Sequence, residues 1–223
     1  MNLNAAPQNI SYQAERMTNE IENISNKILE KYFENRDYNK DKIEVWKDYA
    51  LEEISNYLNY NYYNYGFVIS FNAIKLGNIT ETNLINRYNT DNYVTVSIQT
   101  NTMFCILTII FYKIEYSKFD LLNKIKENMI MKMNEILTNN LKGKSYSCYD
   151  VKQDSKSIVQ ESDEFFKNKI YPNPCSCLIC SIIEQPIEYL FDYKVINFEY
   201  VPLITSYSND SLYGRLIVIL LNN

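Results

Sequence analysis

Histidine is absent from this chain of 223 residues. That removes Ser-His and Cys-His nucleophile pairs, imidazole general bases and imidazole metal ligands together. Glycine is nearly as scarce. The 4 present are scattered, and no P-loop or GxGxxG run exists to cradle a phosphate. Positive charge is also in short supply, with 22 Lys plus Arg against 27 Asp plus Glu, a net charge of −5 and a pI near 5.0. Lys alternates with Glu and Asp in the manner of solvated helix faces, so the clustered cations that nucleic acid demands are missing. No apolar run approaches the ~20 residues of a membrane span. Residues 1–9 have neither a basic start nor an apolar stretch, so no leader peptide and no membrane association are expected. Five Cys in a chain without a leader fit a reducing compartment and unpaired thiols.

What is present is patterned apolar sequence. Hydrophobic residues make up 46% of the chain, enough for packed cores. Two runs stand out, residues 102–112 and 211–221, set 109 positions apart. Each has the length and composition of a strand buried on both faces, and each closes a set of elements. Upstream of the first run, Met17, Ile21, Ile24, Ile28 and Tyr32 form a helical stripe. Ile43, Trp46, Ala50, Ile54 and Leu58 form a second, with Lys47, Asp48, Glu52 and Glu53 assigned mainly off it. Strands follow at 67–76, 79–88 and 93–99, the last with Val94, Val96 and Ile98 alternating. The order is ααββββ. The second half repeats it: Ile130, Met133, Leu137 and Leu141 lie 109 residues after Ile21, Ile24, Ile28 and Tyr32. A helix at 151–168 and strands at 175–184, 188–198 and 200–206 precede the last run. A constant offset with the element order kept predicts tandem duplication.

Chemistry-bearing constellations are few. On a strand, Cys175 and Cys177 share a face while Cys180 points the other way, so one ion cannot collect all three without a bend, with Cys148 the candidate fourth ligand. Buried thiols are the plainer reading, and no metal or other cofactor is expected. Glu52 with Glu53, and Asp163 with Glu164, are sequence neighbours that diverge on a helix and make poor acid/base pairs. Tyr57, Tyr60, Tyr62, Tyr63 and Tyr65 lack interleaved cations and read as helix-to-strand packing. No catalysis is expected. The rival reading is a small enzyme with Cys180 or Cys105 as nucleophile, which requires an activated, accessible thiolate.

The stretch Ile28-Leu29-Glu30-Lys31-Tyr32-Phe33, the helix-two sequence Ile43-Glu44-Val45-Trp46 and the strand opening Thr102-Met103-Phe104-Cys105 together resemble the Tctex-type dynein light chains. The resemblance covers about residues 21–112. It implies a non-enzymatic ααββββ subunit that dimerises by exchanging its second strand. It further implies binding of extended segments of the dynein intermediate chain along the outer edge of that strand, in company with other dynein light chains. In the second half the 109 offset puts Ser155 at the Trp46 position and Gly214 at the Cys105 position.

The expected architecture is therefore α+β. A loose tail (1–13) precedes unit 1 (14–116) and unit 2 (117–223), each with two helices on a mainly antiparallel four-stranded sheet. A tandem chain can make the strand exchange internally, as a monomeric pseudo-dimer, because the second copy is held at high effective concentration. Strand 79–88 would then pair with 175–184, and 188–198 with 67–76. The expected partner-binding residues are Thr80, Thr82, Leu84, Asn86 and Tyr88 on one edge, and Tyr189, Phe191, Tyr193 and Val195 on the other. The resemblance implies a microtubule-motor subunit, cytoplasmic or axonemal. The alternative is a cytoskeletal or axonemal scaffold or tether that does not bind the intermediate chain.

Overall fold

Helix α1 (Ala6–Phe33) exists because Met17, Ile21, Ile28, Leu29 and Phe33 recur on one face and are buried there, while Arg16, Glu22, Lys27 and Glu30 face solvent. These coordinates come from a computed structural model that describes residues 6–76, 84–88, 90, 92–113, 123–169, 175–185 and 187–222. The remaining elements are α2 (Lys40–Asn61), β1 (Tyr65–Lys75), β2 (Leu84–Tyr88), β3 (Tyr93–Gln99), β4 (Met103–Lys113), α3 (Asn123–Leu141), α4 (Cys148–Lys169), β5 (Cys175–Glu184), β6 (Tyr189–Ile196), β7 (Glu199–Ser208) and β8 (Leu212–Asn222). They form two compact units, each with one antiparallel four-stranded sheet and two helices.

The first unit holds α1, α2 and a sheet ordered β3-β4-β1-β6. Asn35 ends α1 in the left-handed region at φ 57°, and Glu34 N–H donates back to Glu30 C=O at 3.0 Å. Asn39 then caps α2, its side chain accepting from Lys42 N–H at 3.1 Å. Phe67, Ile69, Phe71 and Ala73 of β1, Val94 and Val96 of β3, and Met103, Cys105, Leu107 and Ile109 of β4 alternate toward the helices. Leu190 and Ile196 of β6 complete this core.

The second unit holds α3, α4 and a sheet ordered β2-β5-β8-β7. Met133, Ile136, Leu137 and Leu141 of α3 and Val151, Ile158, Val159 and Phe166 of α4 pack with Leu178, Cys180, Ile182, Leu212, Leu216, Val218 and Leu220. The two units use the same connections. Tyr38 N–H donates to Thr102 Oγ1 at 2.8 Å, as Tyr146 N–H does to Ser211 Oγ at 2.7 Å. Thr100 Oγ1 accepts from Met103 N–H at 3.2 Å, and Asn209 Oδ1 from Leu212 N–H at 2.9 Å. Leu76 N–H donates to Thr102 C=O, and Gln185 N–H to Ser211 C=O.

Three expectations are corrected. Residues 6–13, assigned to a loose tail, are the first turns of α1. The contiguous units 14–116 and 117–223 are interleaved instead, because β6 pairs with β1 and joins the first unit, while β2 pairs with β5 and joins the second. The offset of 109 holds for β1 with β5, β3 with β7 and β4 with β8, but the exchanged strands β2 and β6 correspond at 105 and the buried helix residues at 108. Ile21, Ile28, Leu29 and Phe33 match Met129, Ile136, Leu137 and Leu141, and Ile43, Ala50, Leu51 and Leu58 match Val151, Ile158, Val159 and Phe166. Trp46 therefore corresponds to Asp154 rather than Ser155. The left-handed helix ends Asn35 and Gly143 (φ 74°) keep the same spacing.

Candidate functional site

β6 is an outer strand of the first sheet and β2 an outer strand of the second. An outer strand leaves alternate N–H and C=O groups without a sheet partner, which is the surface an extended peptide can join. Along β6 the register to β1 runs from Phe67 opposite Ile196 to Ile74 opposite Tyr189. Leu190 and Ile196 face the helices. Tyr189, Phe191, Tyr193 and Val195 alternate with them on the other face, each half-buried, with the Phe191 and Tyr193 rings 6.5 Å apart.

Period two places Asp192 on the helix side with Leu190. There Lys47 Nζ of α2 donates to Asp192 Oδ2 at 2.5 Å and contacts Asp48 Oδ1 at 3.2 Å. Lys47 is 8% exposed, a burial the helical-stripe reading did not give it. Desolvation works against its charge, but the hydrogen bonds to Asp192 and Asp48 outweigh it and hold the ammonium pKa above its ordinary value. Beside this ion pair a surface hollow of about 450 Å³ opens between α2 and β6, with Asp48, Glu52 and Asn56 on one wall and Asp192, Tyr193 and Lys194 on the other. It has no nucleophile. Its chemistry is main-chain hydrogen bonding and charge recognition.

On the second sheet, Leu84, Asn86 and Tyr88 stand opposite Ile183, Ser181 and Ile179 of β5. Thr80 and Thr82 lie outside the described residues. Lys47, Asp192, Asp48 and Glu52 were missed as site residues. The signal was available: Lys47 follows Ile43 by four and precedes Ala50 by three, and Asp192 keeps step with Leu190.

The family-like residues have identifiable work. Trp46 packs edge-on against Phe33 at 6.3 Å, with the Arg36 guanidinium 4.9 Å over its ring. Thr102 accepts from Tyr38 N–H and donates to Asp37 Oδ1 at 3.2 Å, tying the α1–α2 turn to the start of β4. Residues 16–112 match the Tctex-1 family. Tctex-1 proteins are non-catalytic dynein light chains. The matched residues run from within α1 through α2 and β1 to β3 into β4, so β6, which completes the first sheet, comes from outside them. No curated protein matches the chain.

Cys105, Cys177 and Cys180 are each 0% exposed, and burial pushes the Cys105 thiol up to about 12. Cys148 is exposed at the start of α4. Among the described residues no group of three or more Cys, Asp or Glu could hold a metal ion, and no helix is long and apolar enough to cross a membrane. Of the tyrosine cluster, Tyr57, Tyr62 and Tyr65 pack as expected through Tyr62–Phe67 and Tyr65–Phe111, whereas Tyr60 and Tyr63 are exposed.

Proposed function

We infer that the chain is a dynein light-chain-type subunit that receives extended peptide segments at its outer strand edges and helps assemble a microtubule motor complex in the cytoplasm or axoneme. One observation carries this reading: in the unit that contains the Tctex-1 segment, the outer strand β6 borders an open polar hollow under α2. A peptide laid along β6 would take main-chain hydrogen bonds from the strand and side-chain contacts from Asp48, Glu52 and Lys194. The dynein intermediate chain and companion light chains are the proposed partners. The β2 edge, with Leu84, Asn86 and Tyr88 and with Thr80 and Thr82 before it, is proposed as a second peptide edge. Tyr189, Phe191, Tyr193 and Val195 would shape the neighbouring face of the first.

The same reading makes the chain its own dimer. The two units descend from one duplicated ααββββ unit, and each completes its sheet with a strand from the other half. Supporting this are the pairing of β1 with β6 and of β5 with β2, and the repeated hydrogen bonds at constant spacing. The purified chain is expected near 26.4 kDa by light scattering. A species of twice that mass would sink the internal exchange. For peptide binding, native-lysate pull-down with the wild-type chain should recover dynein intermediate chain. The charge-reversed Asp48→Lys with Glu52→Lys variant should lose at least tenfold in yield. Equal recovery by both would remove the hollow from the site. Recovery of cytoskeletal proteins without intermediate chain would favour a scaffold or tether.

A further inference from the structure

The strand exchange carries a charge code. In the first sheet Asp192 of β6 stands opposite Phe71 of β1 and pairs with Lys47 of α2. In the second sheet the β5 position corresponding to Phe71 is Cys180, and the residue opposite it is Arg87 of β2. The correspondence is anchored by the neighbouring pair, Leu190 opposite Ala73 and Ile85 opposite Ile182. On the helices, Lys47 corresponds to Ser155 of α4, which is fully buried. The cation that meets Asp192 in the first unit is thus a small hydroxyl in the second, and the strand residue changes from Asp to Arg.

We propose that Lys47, Asp192, Arg87 and Ser155 specify which strand enters which sheet, selecting the internal exchange and rejecting dimers formed by two copies of the same unit. If β2 of a second chain joined β1, Arg87 would take the Asp192 position opposite Phe71 and bring a second cation to Lys47, leaving Asp48 and Glu52 of α2 as the carboxylates beside them. If β6 of a second chain joined β5, Asp192 would meet Ser155 in place of the Lys47 ammonium, with Lys156 standing at the Asp48 position. A like-charge contact at Lys47, or the loss of the ammonium that Asp192 meets, disfavours that pairing against otherwise similar ones. The occupant of each edge-completing place is thereby one strand of this same chain. The proposal rests on the internal-exchange reading above.

The test exchanges the code within the full-length chain. Arg87→Asp with Asp192→Arg gives β2 the acid that suits Lys47. Its expected result by light scattering is a dimer fraction at least tenfold above wild type, or loss of the monomer to larger species. Adding Lys47→Asp to that variant restores a complementary pair with Asp192→Arg and is expected to return the monomer. A charge-exchanged chain that stays monomeric with an unchanged unfolding midpoint overturns the proposal. So does a triple variant that fails to recover the monomer. A wild-type chain that is itself dimeric would instead refute the internal exchange, and peptide capture by the hollow is scored separately.

Discussion

Tyr38 donates its backbone N–H to Thr102 Oγ1 at 2.8 Å across 64 residues of sequence, and Tyr146 repeats the contact to Ser211 at 2.7 Å. The bond holds the turn after the first helix of each unit to the start of β4 in one and of β8 in the other. Removing the hydroxyl leaves a part-buried N–H without its acceptor, at a cost of about 1–2 kcal/mol. Thr102→Val should lower the unfolding free energy from urea denaturation by that amount, with a lower midpoint at unchanged slope, and Thr102→Ser should restore most of it. Equal midpoints for both variants would show that the hydroxyl contributes nothing.

Gly214 stands where the first unit has Cys105, and Leu141 occupies the space a Cβ there would need. Gly214→Ala should destabilise the chain by about 1–3 kcal/mol through overpacking. Gly143→Ala meets open space but a φ of 74°, and should cost about 1 kcal/mol through backbone strain alone. Leu141→Ala alone empties a fully buried site and should cost about 2–5 kcal/mol, and its combination with Gly214→Ala should lose less than the sum of the two single changes, as read by thermal unfolding.

Thiol labelling should follow burial. Cys148 is expected to alkylate within minutes at pH 8, while Cys105, Cys177 and Cys180 stay unlabelled until the chain unfolds. Peptide mass spectrometry resolves each site. Rapid labelling of Cys105 or Cys180 in the native protein would reopen the thiol-enzyme reading.

Two ion pairs should appear in the pH dependence of stability. The Lys47 pKa is raised in the folded state, so its contribution is fully present below the unfolded value of 10.5 and is lost as pH climbs through the folded value. The stability gap between wild type and Lys47→Met should narrow on the alkaline side. The Glu53 pKa is lowered, chiefly by the Lys31 ammonium at 2.6 Å, with a further hydrogen bond from the Tyr32 hydroxyl. Its contribution is present above 4.5 and fades as pH falls through the folded value, so the gap to Glu53→Gln should close in acid. Gaps that are flat with pH would exclude both assignments.

Helix and strand order was legible because apolar periodicity is local. β3 at 93–99 and β5 at 175–184 coincide with their expected bounds, and α2 and α4 start or end within a few residues of theirs. The helix offset went astray by one residue for a physical reason. A helical stripe is broad enough that Ile24 and Tyr32, though only partly buried, read as well as Leu29 and Phe33. A strand allows no such latitude, since a slip of one residue turns every side chain to the opposite face, so the 109 spacing of β4 and β8 was unambiguous.

The sequence by itself determined the two ααββββ sets and the absence of imidazole chemistry, because composition and short-range periodicity carry those. Only the tertiary structure decided that Lys47 is buried and that a hollow lies beside it. Its partner Asp192 arrives from 145 residues away on a strand of the other half. A lysine on a helical stripe is exposed or buried according to whether a carboxylate reaches it, and no local pattern records that meeting.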